Sequence, residues 1–196
     1  MSRMAGILEQ AFGHPRGVLG RFGGIVMARG NAEQERRTVE QAGIEPGQRV
    51  LVIGPGPGVG LQLAAAAVVP DGHVIGVEPS EQMRGMAQAR CATEIIDRVV
   101  ALRAGGAEDT GCADGSIDVA LSVNNVMMWD RPRGFAELHR VLRPGGRLLI
   151  SVHRHVLGVS ADDLRKDAVA AGFERVEVDL RHRRFNSPAV ELTARR

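Results

Sequence analysis

Short aliphatic runs alternate with helical segments along most of the chain, and this alternation limits the fold more than any other feature. Five runs are rich in β-branched and aliphatic residues with little polar interruption, as expected of strands covered on both faces. They are RVLVI at 49–53, HVIGVE at 73–78, VVALR at 99–103, IDVALSV at 117–123 and RLLISV at 147–152. Segments such as EQMRGMAQARC at 81–91 and RPRGFAELHRVL at 131–142 place apolar residues on one helical face. Repeated strand–helix units form right-handed crossovers, which predicts an open parallel sheet with helices on both faces.

The C-terminal part of the chain changes this pattern. Ser160 and Asp163 predict the start of a helix that ends at Gly172. The segments ERVEVDL at 174–180 and PAVELTAR at 188–195 then alternate apolar and polar residues, and only a short polar loop separates them. Two such strands are expected to pair antiparallel. Five parallel strands followed by a helix and an antiparallel hairpin are not the usual arrangement of a dinucleotide dehydrogenase.

Length and composition exclude several classes of protein. A chain of 196 residues predicts a single domain, and 44% hydrophobic residues, 24% charged residues and a net charge of +2 are typical of a soluble globular protein. The densest basic cluster, RHRR at 181–184, is shorter than a typical nucleic-acid patch, so no nucleic-acid partner is expected. The longest apolar run, LAAAAVVP from Leu63, is much shorter than the roughly 20 residues of a membrane span. We therefore expect a cytoplasmic protein with no membrane partner.

The two cysteines indicate no metal site. Cys91 and Cys112 form no C-x-x-C pair and have no neighbouring histidine at metal-ligand spacing. Both are predicted to be ordinary reduced thiols.

The segment VLVIGPGPGVG at 50–60 predicts a loop that brings the backbone close to a ligand. Its glycines permit positive φ, while Pro55 and Pro57 stiffen the loop. Glu78 ends the next strand 20 residues after Gly58, where a carboxylate can accept hydrogen bonds from both ribose hydroxyls of a nucleoside. The alternative is a tight turn without a ligand. Similar loops serve NAD, FAD and S-adenosylmethionine, so the glycines alone do not select the cofactor.

Beyond this loop, the chain resembles the class I S-adenosylmethionine-dependent methyltransferases of the small-molecule type. The resemblance covers roughly residues 40–196 and includes four further blocks in the family's order and spacing. These are VIGVEPSEQMRGMAQAR at 74–90, AGGAEDTGCADGSIDVALSVNNVMMW at 104–129, ELHRVLRPGGRLLIS at 137–151 and DAVAAGFERVEV at 167–178. The resemblance implies an α/β, Rossmann-like, doubly wound seven-stranded sheet that is mostly parallel with an antiparallel C-terminal strand. The predicted hairpin agrees with that fold.

By the same resemblance, an S-adenosylmethionine site is expected at the carboxyl ends of the strands. The glycines would flank the methionine part and the ribose, and the acid would bind the ribose hydroxyls. The backbone of Ala107 would meet the adenine edge, and Asn124 would lie beside the methionine end. The residues so assigned to the cofactor are Gly54, Gly56, Gly58, Glu78, Pro79, Gly106, Ala107, Glu108 and Asn124.

The chain departs from the family pattern at two positions. Family members usually carry Asp or Glu at the position of Val52, and often Asp at that of Gly106. These departures leave open an alternative, a catalytically weak or inactive cofactor-fold protein that serves as a binding or partner subunit. An NAD-dependent oxidoreductase is a weaker alternative, because the chain has no Tyr. The expected function is methyl transfer from S-adenosylmethionine to a small-molecule acceptor, and a homodimer is left open.

Two histidines are the candidate catalytic residues. His153 and His155 follow the fifth strand, on the side where the acceptor is expected, and a histidine titrates close to neutrality. The alternative is that both are solvated loop residues. The segment NNVMMW at 124–129 lacks the Asn-Pro-Pro-aromatic pattern of enzymes that methylate nucleic acids or proteins, which favours a small acceptor. Its Met127, Met128 and Trp129 either line an apolar acceptor pocket or belong to the core.

The N-terminal segment is predicted to be separate from the sheet. Residues 1–45 mix large apolar side chains with many glycines, which is typical of a helical lid or cap that folds over a ligand. Asn31 with Gln34 predicts a helix start within this segment, and Gly43 predicts the helix end. Residues 46–196 would then form the S-adenosylmethionine-binding domain. The alternative is that residues 1–45 cap the sheet edge permanently.

Overall fold

The computed structural model of the protein describes residues 31–182 and 187–196. Seven strands form one sheet in the order β3-β2-β1-β4-β5-β7-β6. The strands are β1 Arg49–Ile53, β2 His73–Val77, β3 Val100–Arg103, β4 Ile117–Val123, β5 Leu142–His153, β6 Glu174–Arg181 and β7 Ala189–Arg195. Strands β1 to β5 pair in parallel, and β7 is antiparallel to both β5 and β6. The predicted α/β fold with its antiparallel C-terminal strand is confirmed.

Helices cover both faces of this sheet. They are α1 at 31–42, α2 Val59–Val68, α3 Glu81–Arg90, α4 Ala92–Ile96, α5 Arg131–Val141 and α6 Ala161–Ala170. The predicted capping box is present, since Ser160 Oγ accepts from the backbone N of Asp163 at 3.0 Å while the Asp163 carboxylate accepts from the Ser160 backbone N at 3.1 Å. Gly172 follows the end of α6 with a φ of +99°, as the sequence predicts.

The core consists of two apolar layers, one on each face of the sheet. Side chains of β1 alternate between them, with Leu51 and Ile53 in one layer and Val50 and Val52 in the other. Helices α5 and α6 pack on the first layer, and α2 and α3 pack on the second. Phe135 of α5 is fully buried between the rings of Trp129 and Phe173, with edge-to-face contacts at centroid distances of 6.0 and 6.3 Å.

Several element boundaries differ from the sequence predictions. Strand β5 begins at Leu142 rather than at 147, because α5 ends at Val141 and Leu142 already pairs with Ile117 of β4. The Pro-Gly-Gly segment that follows runs beside β4 with a register irregularity between Ile117 and Val119. The short helix α4 was not predicted. Asn31 is itself helical, so it is not the cap residue of α1.

The predicted lid at 1–45 lies outside the described residues for its first thirty positions. Of the remainder, α1 packs on the sheet, with Ala42 in the second core layer and Gln34 and Thr38 buried. None of the helices in the described ranges is long and apolar enough to cross a membrane.

Truncation of Phe135 to Ala should lower the free energy of unfolding by about 3–5 kcal/mol, because it leaves a cavity between two aromatic rings and the sheet. Ile96→Ala is the matched control, because Ile96 is 78% exposed and its truncation should change stability by no more than about 0.5 kcal/mol. Urea denaturation of both variants measures the difference. A similar cost for the two variants would contradict the assigned core.

Candidate functional site

A crevice opens at the carboxyl ends of β1 and β4, where the chain order of the sheet reverses. Strand β1 lies between β2 and β4, and the helices that follow β1 and β4 cover opposite faces of the sheet. Crevices at such reversal points are the usual ligand sites of open α/β sheets. Helix α1, the loop after β1 and the end of β4 enclose a cavity here. Its lining residues are Glu35, Thr38, Val39, Val52, Ile53, Gly54, Pro55, Gly60, Leu121 and Val123.

The glycines of the loop after β1 are required by backbone conformation and close packing. Gly54, Gly56 and Gly58 have φ values of +58°, +51° and +89°. A Cβ on Gly54 would lie 2.5 Å from Asn125 Nδ2, and one on Gly58 would lie 2.9 Å from Ala87 Cα. At Gly56, by contrast, no atom of the described residues beyond Gly56 and its two neighbours in the chain lies within 4 Å of such a Cβ. The loop therefore packs against protein at two glycines and leaves open space at the third.

Glu78 lies at the end of β2 with its carboxylate turned to this loop. The side chain is 7% exposed, and its Oε2 accepts a hydrogen bond from the backbone N of Gly56 at 3.0 Å. Its Oε1 accepts from the backbone N of Ser80 at 2.9 Å. The guanidinium of Arg84 donates to the carbonyl oxygens of Glu78 and Pro79 at 2.7 and 2.8 Å. The structure thus brings the predicted acid and the predicted glycine loop into direct contact.

Asn125 fastens the start of the glycine loop and was missed by sequence reasoning. Its Nδ2 donates to the carbonyl oxygen of Ile53 at 2.7 Å, and its Oδ1 accepts from Ser122 Oγ at 2.8 Å and Trp129 Nε1 at 3.0 Å. Trp129 belongs with the core rather than with an open pocket, while Met128 is exposed. The available sequence signal was the position of Asn125 two residues after β4, next to the assigned Asn124.

Asn124 joins α1 to the end of β5. Its backbone is left-handed, with a φ of +56°, and its Oδ1 accepts from the backbone N of His153 at 2.9 Å. Its Nδ2 donates to Oε1 of Gln34 at 3.2 Å, and Nε2 of Gln34 donates to Ser151 Oγ at 2.8 Å. The Gln34 side chain therefore holds α1 over the strand ends rather than capping its own helix.

The predicted adenine-edge residues form one tight turn. Gly106 makes an isolated bridge with Asp109, and Ala107 between them is 1% exposed. Oε1 of Glu108 accepts from the backbone N of Asp130 at 2.7 Å, at the start of α5. The Glu108 carboxylate is thereby directed to the helix start.

The two candidate histidines lie side by side at the end of β5, where His153 is the last residue of the strand and His155 lies in the turn that follows. Their ring centroids are 5.5 Å apart, and His153 Nε2 is 3.2 Å from Asn31 Oδ1 of α1. His153 is half-buried and His155 is exposed. The backbone N of His153 donates to Asn124, which follows β4 at the crevice, so His153 is the histidine that is hydrogen bonded to the candidate site. Within residues 31–182 and 187–196, no group of three or more His, Cys, Asp or Glu side chains is arranged to hold a metal ion.

Glu35 of α1 is a second site residue that sequence reasoning missed. Its Oε2 accepts a hydrogen bond from the backbone N of Gly60, in the first turn of α2. Burial raises the pKa of Glu35 to about 7, although the Gly60 hydrogen bond and the positive charge of Arg90 oppose this shift. No local pattern marks Glu35, because its partner lies 25 residues later in the chain.

Comparison with known proteins is consistent with this geometry. Residues 51–150 match the family described as "Methyltransferase domain". The arsenite methyltransferase of Halobacterium salinarum is 36% identical over 158 residues, which cover 70% of this chain and 40% of the relative. The uncharacterized methyltransferase YdaC of Bacillus subtilis is 29% identical over 167 residues, covering 81% of this chain and 90% of that protein. The chain thus spans less than half of the first relative and most of the second.

A solved structure shares the fold. Phosphoethanolamine N-methyltransferase 2 of Haemonchus contortus, in complex with S-adenosyl-L-methionine, superposes with a TM-score of 0.73 at 20% identity, covering 84% of this chain and 52% of that one. The chain belongs to the class I S-adenosylmethionine-dependent methyltransferase family, whose cofactor is S-adenosylmethionine.

Replacement of Glu35 by Gln should remove a pH dependence of stability. Glu35 releases its proton near pH 4.5 when unfolded and near pH 7 when folded. The folded state therefore binds more protons between these values, and wild-type stability falls as pH rises through this window. The amide of the Glu35→Gln variant cannot ionise, so the stability of the variant relative to wild type should increase by about 3 kcal/mol from pH 4.5 to pH 8.

Urea denaturation at several pH values measures this difference. Glu40→Gln, which changes an exposed glutamate of the same helix, should follow wild type. Parallel stability curves for Glu35→Gln and wild type would contradict the assigned burial of this carboxylate.

Proposed function

We propose that this chain transfers the methyl group of S-adenosylmethionine to a small-molecule acceptor. The observation that carries the proposal is the buried Glu78 carboxylate, which contacts the backbone of the glycine loop at the point where the strand order reverses. A carboxylate at the end of β2 beside this loop is suited to accept hydrogen bonds from ribose hydroxyls.

The residues present fit this cofactor. The open space at Gly56 admits a ligand next to the Glu78 carboxylate, and the turn at 106–108 lies at the end of the neighbouring strand β3. Gly54, Gly58 and Asn124 would complete the site on the β1 and β4 side, and Pro79 would follow the acid. The bound cofactor supplies an activated methyl group with a neutral leaving group. The protein then has to hold the acceptor in line and exclude water.

A small acceptor is supported by the names of the relatives, which refer to arsenite and phosphoethanolamine. The thiols of this chain argue against arsenite as its own acceptor, because trivalent arsenic is a soft centre that binds thiolates. Cys91 and Cys112 are its only cysteines, and both are buried. Burial raises the pKa of the Cys91 thiol to about 11. A small organic molecule suits the site better as the acceptor.

His153 is the proposed proton acceptor for such a nucleophile. Its backbone N–H is held by Asn124, and its ring lies between α1 and His155. Imidazole accepts a proton close to neutral pH, which suits an acceptor that must lose a proton as the methyl group is transferred. His155, which is exposed, would have the secondary role.

Titration calorimetry with S-adenosylmethionine, S-adenosylhomocysteine and NAD tests the proposal and its rivals. Binding of the first two ligands but not NAD, together with turnover in a screen of small acceptors that detects S-adenosylhomocysteine, is the expected result. Cofactor binding without turnover of any acceptor would favour a binding or partner subunit. Selective binding of NAD would overturn the proposal.

Replacement of Glu78 by Ala should weaken S-adenosylmethionine binding by about 1–3 kcal/mol, the scale of hydrogen bonds to a charged group. Glu81→Ala is the control, because Glu81 is exposed in the first turn of the adjacent α3. Calorimetry measures the affinities, and circular dichroism checks that both variants are folded. Unchanged affinity in the Glu78 variant would contradict the ribose assignment.

Replacement of His153 by Ala should lower kcat far more than it changes cofactor affinity. The loss should shrink as the pH approaches the pKa of the acceptor, because the acceptor then ionises without help. His155→Ala is the comparison and should retain more activity. Equal pH–rate profiles for wild type and both variants would contradict the proton-acceptor role of His153. Alignment of the acceptor with the methyl group would then be the whole mechanism.

A further inference from the structure

The cavity at the strand ends has a single ionisable lining residue. Of the lining residues in the described part of the chain, Glu35 alone carries a charge-bearing side chain. Most of the others present apolar side chains, including Val52, Leu121 and Val123. A carboxylate in such surroundings is costly unless a cation or hydrogen-bond donors compensate for lost hydration.

The Glu35 carboxylate is held in place from two sides. Its Oε2 accepts from the backbone N of Gly60, and a Cβ on Gly60 would lie 3.1 Å from that oxygen. Helix α1 is itself fastened to β5 through the buried hydrogen bond between Gln34 and Ser151, at 2.8 Å. The Glu35 carboxylate is therefore fixed over the loop that leads into α2. The Gly60 N–H uses one lone pair of this carboxylate, and the other lone pairs take no part in that hydrogen bond.

Among the described residues, Arg90 supplies the positive charge that acts on Glu35. The charge of Arg90, at the end of α3, lowers the pKa of Glu35, but the Nε of Arg90 donates to the carbonyl oxygen of Pro57 at 2.9 Å. Burial outweighs both Arg90 and the Gly60 hydrogen bond, so the pKa of Glu35 stays raised at about 7. A cation that enters the cavity would favour the ionised form.

We infer that Glu35 binds the α-ammonium group at the methionine end of S-adenosylmethionine. This inference rests on the proposed function. The cofactor carries two cationic centres, an ammonium and a sulfonium, and only the ammonium has N–H groups to donate to a carboxylate. A carboxylate next to the sulfonium would itself compete for the methyl group. Position 52, on the same cavity wall, holds Val and offers no acid, so Glu35 supplies the anion from a different element.

Three ligands separate this role from a general effect on the site. S-adenosylmethionine has both cationic centres, S-adenosylhomocysteine keeps the ammonium without the sulfonium, and 5′-methylthioadenosine has neither. Glu35→Gln is the informative variant, because its amide oxygen still accepts from Gly60 while the charge is lost. Glu40→Gln, on the exposed face of α1, is the matched control.

At pH 7, calorimetry should show Glu35→Gln weakening the first two ligands by about 10-fold or more, the scale of a charge-assisted hydrogen bond. Affinity for 5′-methylthioadenosine should stay within about twofold of wild type, and Glu40→Gln should bind all three like wild type. Wild-type affinity for S-adenosylhomocysteine should also rise from pH 5.5 to pH 7 as Glu35 ionises, and the variant should lose this dependence.

The outcomes that overturn the inference are distinct. An equal loss for 5′-methylthioadenosine would show that Glu35 only shapes the loop, and unchanged affinity for all three ligands would exclude contact with the ammonium group. A wild-type protein that binds none of the ligands would overturn the proposed function and this inference together. Normal wild-type binding with an unaffected Glu35 variant would overturn this inference alone.

Discussion

The position of β1 inside the sheet, between β2 and β4, is the constraint on which the site depends. β1 is hydrogen bonded to β2 on one side and β4 on the other, and Val50 and Leu51 are fully buried on its two faces. Because the chain leaves β1 and β4 toward opposite faces of the sheet, the helices that follow these two strands leave a space between their carboxyl ends, and α1 encloses that space. The glycine loop, the acid after β2 and the two asparagines after β4 meet at that space.

Side-chain hydrogen bonds to backbone groups hold the loop in its glycine-dependent conformation. Glu78 accepts from the N–H of Gly56, Asn125 donates to the carbonyl of Ile53, and Glu35 accepts from the N–H of Gly60. Each bond satisfies a backbone group that would be costly to leave unpaired near the sheet. The loop is thereby ordered before a ligand arrives, which reduces the entropy that binding has to overcome.

The sequence was sufficient for most of the elements and insufficient for contacts between them. β1 and β4 were predicted with their observed bounds, because buried strands are short aliphatic runs, and the capping box at Ser160 was recognised from local spacing. Strand β5 starts earlier than its apolar run because pairing with β4 begins at Leu142, which no periodicity reveals. Glu35 and Asn125 were missed for the same reason. Their partners lie 25 and 72 residues away, and only the folded sheet brings these groups together.

The central claim is that a nucleoside cofactor binds at the carboxyl ends of β1 and β2, with its ribose on Glu78. A crystal structure of the protein with S-adenosylhomocysteine tests this most directly. Both ribose hydroxyls should lie within hydrogen-bond distance of the Glu78 carboxylate, with the ligand next to the open position at Gly56. A ribose elsewhere, or a Glu78 carboxylate that contacts only protein in the complex, would contradict it.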